Sequence, residues 1–251
     1  MLHIQDHSGI TVLQLDHGKA HALDIDLCRA LRQALAERVR DDSVRALVLT
    51  GTGSIFCAGV DLFRLIDGGA DYIDEFVPLL VATFHELFAF PQPVVAAING
   101  HAIAGGCVLA AASDYRIMAD GSGTIGVPEL RVGVPFPLVA IEILRFATST
   151  AHLQELVYGG KTYAAAEAYG RGLVDEVVPS GELLDQARET AARLSSDPVA
   201  RFRITKRQLR RPAIERMERL AAQTDADVLA AWKNAVTLGA VRSYLDGLRK
   251  Q

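Results

Sequence analysis

The chain has 251 residues, a formal net charge of −4, and a composition that is half hydrophobic. This length and apolar content allow one large domain with a full core, and they exclude an intrinsically disordered chain. The basic residues are scattered, apart from a short cluster at 206–211, so we expect no nucleic-acid surface.

Three cysteines, Cys28, Cys57 and Cys107, lack the paired spacing of a disulfide framework or a structural zinc site. The seven histidines show no metal-binding spacing, and no complete dinucleotide or phosphate-loop motif is present. The first residues lack the basic and apolar regions typical of a signal peptide, and no apolar run reaches the roughly 18 residues that a membrane span needs. We therefore expect a cytoplasmic protein with no membrane segment, no metal and no separate cofactor.

Hydrophobic patterning predicts alternating strands and helices through the first half of the chain. Asp24 is the expected N-cap of the first helix, and Pro91 and Pro93 are expected to end the second. The predicted elements, in order, are a strand at 10–15, a helix at 24–39, a buried strand at 46–49, an irregular segment at 54–62, a helix at 76–90, a buried strand at 94–98, a helix at 107–112 and a strand at 115–119.

A weak internal repeat indicates the architecture. Residues 45–62 and 93–109 each run as strand, turn, short strand, Ala-Gly and helix, which favours a spiral α/β core. From about residue 138 the pattern is mostly helical, with helices expected at 182–194, at 197–209 and from 213 to the end. We therefore divide the chain into a core at 1–195 and a helical region at 196–251.

Two glycine-containing turns, at 51–62 and 99–107, each follow a buried strand. Small residues let a ligand approach the backbone. If the N–H groups of Val60 and Gly105 converge, they form a two-donor oxyanion hole, and the helix that begins at Gly105 adds its dipole. The alternative interpretation is that these glycines only permit tight turns and close packing.

Six segments, in this order, resemble the enoyl-CoA hydratase/isomerase (crotonase) family. They are His21-Ala22-Leu23-Asp24, Ala58 to Asp61, Asn99 to Gly106, Ser113 to Ile117, Val127 to Gly133 and Gly172 to Asp175. The resemblance implies an α/β fold, a crotonase-like spiral of ββα turns with a helical C-terminal region that covers the cleft and forms trimer contacts. It also implies an acyl-CoA thioester as substrate, with coenzyme A as part of that substrate, and a homotrimer or dimer of trimers.

The resemblance also implies roles for individual residues. Val60 and Gly105 supply the oxyanion donors. The expected substrate- and CoA-binding residues are His21, Ala22, Leu23, Ala58, Asp61, Leu62 and Phe136. Three alternatives stay open: Asp61 is also a plausible helix N-cap, His21 a backbone-positioning or solvent-facing residue, and Phe136 a core residue. The Lys206–Arg211 cluster is a candidate for the CoA phosphates, or a solvated helix face.

The sequence departs from the family pattern at one catalytic position. Typical hydratases of the family use two glutamates; here the second is present as Glu129, whereas the first position is Val108. Valine cannot activate the water that hydration needs. One carboxylate can still move a proton from C2 to C4 of a 3-enoyl-CoA, and apolar neighbours should raise its pKa.

We therefore expect an enoyl-CoA isomerase with Glu129 as its base. The alternatives are an enoyl-CoA hydratase (lyase) with a second acid elsewhere, another enolate reaction, and a non-catalytic acyl-CoA-binding homologue.

Overall fold

The computed structural model describes residues 1–196 and 199–248. Its ten described strands form two sheets. The six-stranded sheet has the order β1-β2-β3-β5-β7-β10 and is parallel except for the β1–β2 pair. The four-stranded sheet has the order β4-β6-β8-β9 and is parallel except for the β8–β9 pair. The strands are β1 Leu2–His7, β2 Ile10–Leu15, β3 Ala46–Gly51, β4 Ile55–Cys57, β5 Val94–Ile98, β6 His101–Ile103, β7 Tyr115–Asp120, β8 Thr124–Gly126, β9 Thr162–Ala164 and β10 Glu176–Pro179.

Helices surround and connect the sheets. The described α-helices are α1 Ile25–Val39, α2 Leu62–Phe88, α3 Gly105–Ala112, α4 Glu129–Val132, α5 Leu138–Ala147, α6 Thr150–Gly159, α7 Ala165–Gly170, α8 Leu183–Leu194, α9 Val199–Lys233 and α10 Ala235–Leu248. None of the described helices is long and apolar enough to cross a membrane.

The core is a spiral of three ββα turns. The units β3-β4-α2, β5-β6-α3 and β7-β8-α4 each give one strand to the large sheet and the next strand to the small sheet. The repeat read from the sequence matches the first two units, and the spiral fold is confirmed. The third unit ends in a helix of only four residues, α4, which explains why the repeat fades there.

The central strands are buried on both faces, as parallel strands between two layers require. All five residues of Val94–Ile98 are buried, and so are all six of Ala46–Gly51. These continuous apolar runs explain why both strands could be predicted. The turns that carry the glycines leave the carboxyl ends of these strands, so they lie side by side.

The helix predicted at 76–90 begins earlier than expected, at Leu62. The alternative role of Asp61 as a helix N-cap is confirmed. Asp61 caps a helix that begins at Leu62, because its carboxylate accepts hydrogen bonds from the N–H groups of Phe63 and Arg64, both at 3.0 Å. The sequence signal was hidden by Gly68-Gly69. Gly69 has a positive φ of 59° and kinks the helix, and the chain then continues as helix to Phe88.

A break before residue 213 was also expected, and it is absent. The helix α9 runs through Pro212. Its residues Lys206, Arg210, Ala213 and Met217 are all buried, and their spacing gives one continuous face against the core. Tertiary packing of that face offsets the hydrogen bond that Pro212 cannot donate. The expected helix start at 197 lies outside the described residues.

Candidate active site

The first glycine turn is held against the segment that precedes α1. The Leu23 N–H donates to the Gly59 carbonyl at 2.7 Å, and the Asp61 N–H donates to the Leu23 carbonyl at 2.9 Å. These two bonds form an isolated parallel bridge between Leu23 and Val60. Because the residues on either side of Val60 make the bonds, its own N–H points away from Leu23, and within the described ranges it donates to no backbone carbonyl.

The second glycine turn approaches the first within van der Waals contact. A Cβ added to Gly59 would lie 2.7 Å from the Ala104 Cβ and 3.1 Å from the Gly105 nitrogen, so only glycine fits there, at a φ of +86°. Gly105 is the first residue of α3, and the first N–H groups of a helix have no partner inside it. Two backbone donors without an acceptor among the described residues, Val60 N–H and Gly105 N–H, therefore come from turns that contact each other.

A cavity of about 580 Å³ opens beside these turns, and both Val60 and Gly105 line it. Four of the seven residues predicted to bind substrate or CoA also line it: Ala22, Ala58, Asp61 and Leu62. Glu129 and Val108 line the same cavity. The structure thus brings together the predicted oxyanion donors, the predicted base and the position at which a second carboxylate is missing.

Glu129 is the first residue of α4, and it is only 9% exposed. Its Oε2 atom is buried and has no hydrogen-bond partner among the described residues. Desolvation raises the pKa of Glu129 to about 8, because burial disfavours the charged form. A carboxyl whose oxygen is not engaged by a described residue, and whose pKa is near neutrality, is suited to take and return a proton.

Two other carboxylates line the cavity, and both hold local structure. Asp61 caps α2. Asp24 caps α1 by accepting from the Leu27 N–H at 2.8 Å, and its other oxygen contacts His17 at 2.6 Å and Arg64 at 3.1 Å. Asp61 and Asp24 therefore differ from Glu129, whose buried Oε2 has no hydrogen-bond partner among the described residues.

The structure does not bring three of the predicted substrate residues to the cavity wall: His21, Leu23 and Phe136. Leu23 packs beneath the second turn, where a Cβ on Gly105 would meet its Cδ1 at 2.8 Å. His21 is buried, accepts from the His17 N–H at 3.1 Å through Nδ1, and lies 3.0 Å from the Thr52 carbonyl through Nε2. His21 therefore positions backbone, and Phe136 fills core.

The basic residues of the cluster at 206–211 do not line this cavity either. Lys206 lies 2.5 Å from Asp114 and 3.1 Å from the Gln92 carbonyl. Arg210 lies 2.7 Å from Asp114, and it donates to the carbonyls that end α2 and α3. Arg211 is exposed and paired with Glu215 at 2.6 Å. Half of the cluster is thus a buried anchor for α9, and the interpretation as a CoA-phosphate site is wrong for Lys206 and Arg210.

The C-terminal region was expected to cover the cleft, but the sequence did not indicate which of its residues line the cavity. Trp232 of α9 and Tyr244 and Leu245 of α10 line the cavity. Their helical spacing is that of ordinary core residues, so no local signal distinguishes them. Only the tertiary packing of the last two helices over the spiral reveals them.

Comparison with known proteins identifies the family and supports the fold. The family model described as enoyl-CoA hydratase/isomerase matches residues 5–240. The carnitinyl-CoA dehydratase of Salmonella paratyphi A is 34% identical over 201 residues, which is 79% of this chain and 76% of that protein.

Two solved structures show the same architecture. The human mitochondrial delta3-delta2-enoyl-CoA isomerase superposes with a TM-score of 0.95 at 23% identity, covering 99% of this chain and 98% of that one. The enoyl-CoA hydratase EchA3 of Mycobacterium ulcerans superposes with a TM-score of 0.82 at 28% identity, covering 90% of this chain and 98% of that one. The fold and the paired glycine turns define an acyl-CoA enzyme of the crotonase type. The chain belongs to the enoyl-CoA hydratase/isomerase family.

Proposed function

We propose that this enzyme moves a double bond, converting a 3-enoyl-CoA to the conjugated 2-enoyl-CoA, with Glu129 as its only base. The observation that carries the proposal is the pairing of two positions in one cavity. One is the buried carboxyl of Glu129, whose Oε2 has no hydrogen-bond partner among the described residues, and the other is the buried Val108.

The thioester oxygen accepts hydrogen bonds from the Val60 and Gly105 N–H groups. The Glu129 carboxylate takes a proton from C2, and the electron pair left behind spreads onto the thioester oxygen as an extended enolate. Glu129, now a neutral acid, returns the proton to C4, and the double bond moves into conjugation. One such amide donor typically contributes about 10²–10³-fold in rate.

The valine at 108 argues against hydration. Adding water needs a group that holds and activates it while a proton reaches C2. The Val108 side chain is 1% exposed and offers only hydrocarbon to the cavity. Losing one general acid/base group typically costs about 10²–10⁴-fold, so hydration through Glu129 alone is expected to be slow.

The test is an ultraviolet assay of the purified protein on a 3-enoyl-CoA and, separately, on a 2-enoyl-CoA. Conjugation with the thioester adds absorbance, and hydration removes it. We expect a rise with the 3-enoyl substrate and little change with the 2-enoyl substrate. A fall with the 2-enoyl substrate would establish a hydratase. No change with either, while acyl-CoA binding persists, would establish a binding protein or an enzyme for another acyl group.

A further inference from the structure

The cavity wall has two parts of different chemistry. Its charged residues, apart from Glu129, come from the segments 17–24 and 61–64. The apolar part comes from helices that pack on one another, with Leu80 and Phe84 from α2, Ala140 from α5, Trp232 from α9 and Leu245 from α10. The phosphates of coenzyme A cannot be desolvated against hydrocarbon without a large cost, so the apolar part is suited to the acyl chain.

The last two helices are fastened to the loop that follows Glu129. The Trp232 indole N–H donates to the Pro135 carbonyl at 2.9 Å. A Cβ on Gly133 would lie 2.6 Å from the Ala240 Cβ, so α10 rests directly on that glycine. Tyr244 lies one helical turn beyond Ala240, on the same face, and it lines the cavity.

Trp232 is the bulkiest side chain in the apolar wall. It is only 3% exposed, and its hydrogen bond to Pro135 fixes the ring against the loop. A buried ring whose N–H is hydrogen-bonded cannot move aside at low cost, because close-packed interiors transmit strain rather than absorb it.

We propose that Trp232 is the specificity-determining residue for acyl length: the hydrocarbon end of the acyl chain stops against its indole ring. This inference rests on the proposed function, because it takes the thioester to lie at Val60 and Gly105. It places the end of the acyl chain at a C-terminal helix, whereas the resemblance implied only that Phe136 binds substrate.

The first test uses the unmodified protein, because Trp232 is its one tryptophan. Its fluorescence is recorded during titration with saturated acyl-CoA thioesters of increasing length, with acetyl-CoA as the reference. We expect acetyl-CoA to leave the emission nearly unchanged and longer chains to quench or shift it once they reach the ring. An equal change with acetyl-CoA, or no change at any length despite calorimetric binding, would overturn the proposal.

The second test compares variants on the same acyl-CoA series by calorimetry. Wild-type affinity should tighten by about fourfold for each methylene group buried and then stop at a limiting length. Trp232→Ala should move that limit to longer chains. Phe136→Ala is the matched control, because it removes an aromatic ring from the same region without opening the wall, and its limit should match wild type. A shared limit for Trp232→Ala and wild type, or an equal shift in Phe136→Ala, would contradict the assignment.

A third variant covers the case in which Trp232→Ala does not fold. Ala140→Leu adds bulk to the apolar wall from α5 and should move the limit to shorter chains; an unchanged limit would contradict the proposed position of the acyl chain. Binding of saturated thioesters requires no turnover, so these measurements are separable from the isomerase proposal. A length limit set by Trp232 without isomerase activity would reject only the proposed reaction, and activity without that limit would reject only the role of Trp232.

Discussion

Glu129 is a carboxyl group in surroundings that oppose its charge, although a base must be charged to act. Desolvation raises its pKa to about 8. Below that pH the free enzyme therefore holds mostly the neutral acid. A raised pKa also makes the carboxylate a stronger base, which favours removal of a weakly acidic C2 proton.

This balance predicts the pH dependence of isomerisation. Because kcat/KM follows the fraction of ionised base in the free enzyme, it should rise about tenfold per pH unit below pH 8 and level off above it. The measurement is kcat/KM for a 3-enoyl-CoA across this range. A profile that is flat from pH 6 to 9 would show that the essential group is not a carboxyl with a raised pKa.

The same pKa predicts an effect on stability. The folded-state pKa of about 8 lies above the ordinary glutamate pKa of 4.5, so between these values the folded chain binds a proton that the unfolded chain has released. The free energy of unfolding should therefore contain a contribution that falls as pH rises from 4.5 to 8. Glu129→Gln removes it, so this variant should gain stability relative to wild type as the pH rises. Urea unfolding of both proteins at pH 5 and pH 9 checks this, and an equal difference at both values would contradict it.

Val108 predicts a gain of function. Val108→Glu adds a second carboxyl to the cavity that Glu129 lines, so hydration of a 2-enoyl-CoA should rise by up to about 10²-fold, the lower end of what one acid/base group contributes. Val108→Gln is the control, because it has similar size and no carboxyl. If the glutamate variant folds normally and hydrates no faster than the glutamine variant, the inferred geometry of the two positions is wrong.

At the scale of elements, the long helix α9 is held to the spiral by buried charges. Asp114 accepts from both Lys206 and Arg210, and the latter two side chains are 6% and 3% exposed. Removing one member of a buried ionic group leaves an uncompensated charge. This anchor fixes the helix that presents Trp232 to the cavity.

Asp114→Ala is therefore expected to lower the free energy of unfolding by about 3–5 kcal/mol. Arg211→Ala is a suitable control, because it breaks an exposed pair on the same helix, with side chains 73% and 56% exposed, and such pairs contribute little. Denaturant unfolding of both variants gives the comparison. Similar losses in the two would mean that the buried cluster does not anchor α9.

At the scale of the whole molecule, the spiral could be predicted because its strands are continuous apolar runs and its turns carry glycine. Val94–Ile98 is buried at every residue, and the glycine turns mark the strand ends on which the site is built. The prediction failed where packing overrides local signals, as at Pro212 inside α9 and at the Gly68-Gly69 kink of α2.

In the site too, residues in local motifs could be predicted from the sequence, whereas residues placed by tertiary packing could not. The motif order indicated Val60, Gly105 and Glu129 as lining residues, whereas Leu23 and His21 turned out to support the turns from beneath. Trp232 is distant in sequence and has no motif, so only folding reveals it. The homotrimer or dimer of trimers, the cytoplasmic location and the boundary at 195/196 stay predictions.

The most direct test of the central claim is the isomerase rate of Glu129→Gln on a 3-enoyl-CoA, measured beside its calorimetric affinity for a saturated acyl-CoA. Glutamine keeps the size of the side chain and removes its ability to take a proton. We predict a loss in turnover of about 10²–10⁴-fold with acyl-CoA affinity retained. Near-normal turnover in this variant would contradict the assignment of Glu129 as the sole base.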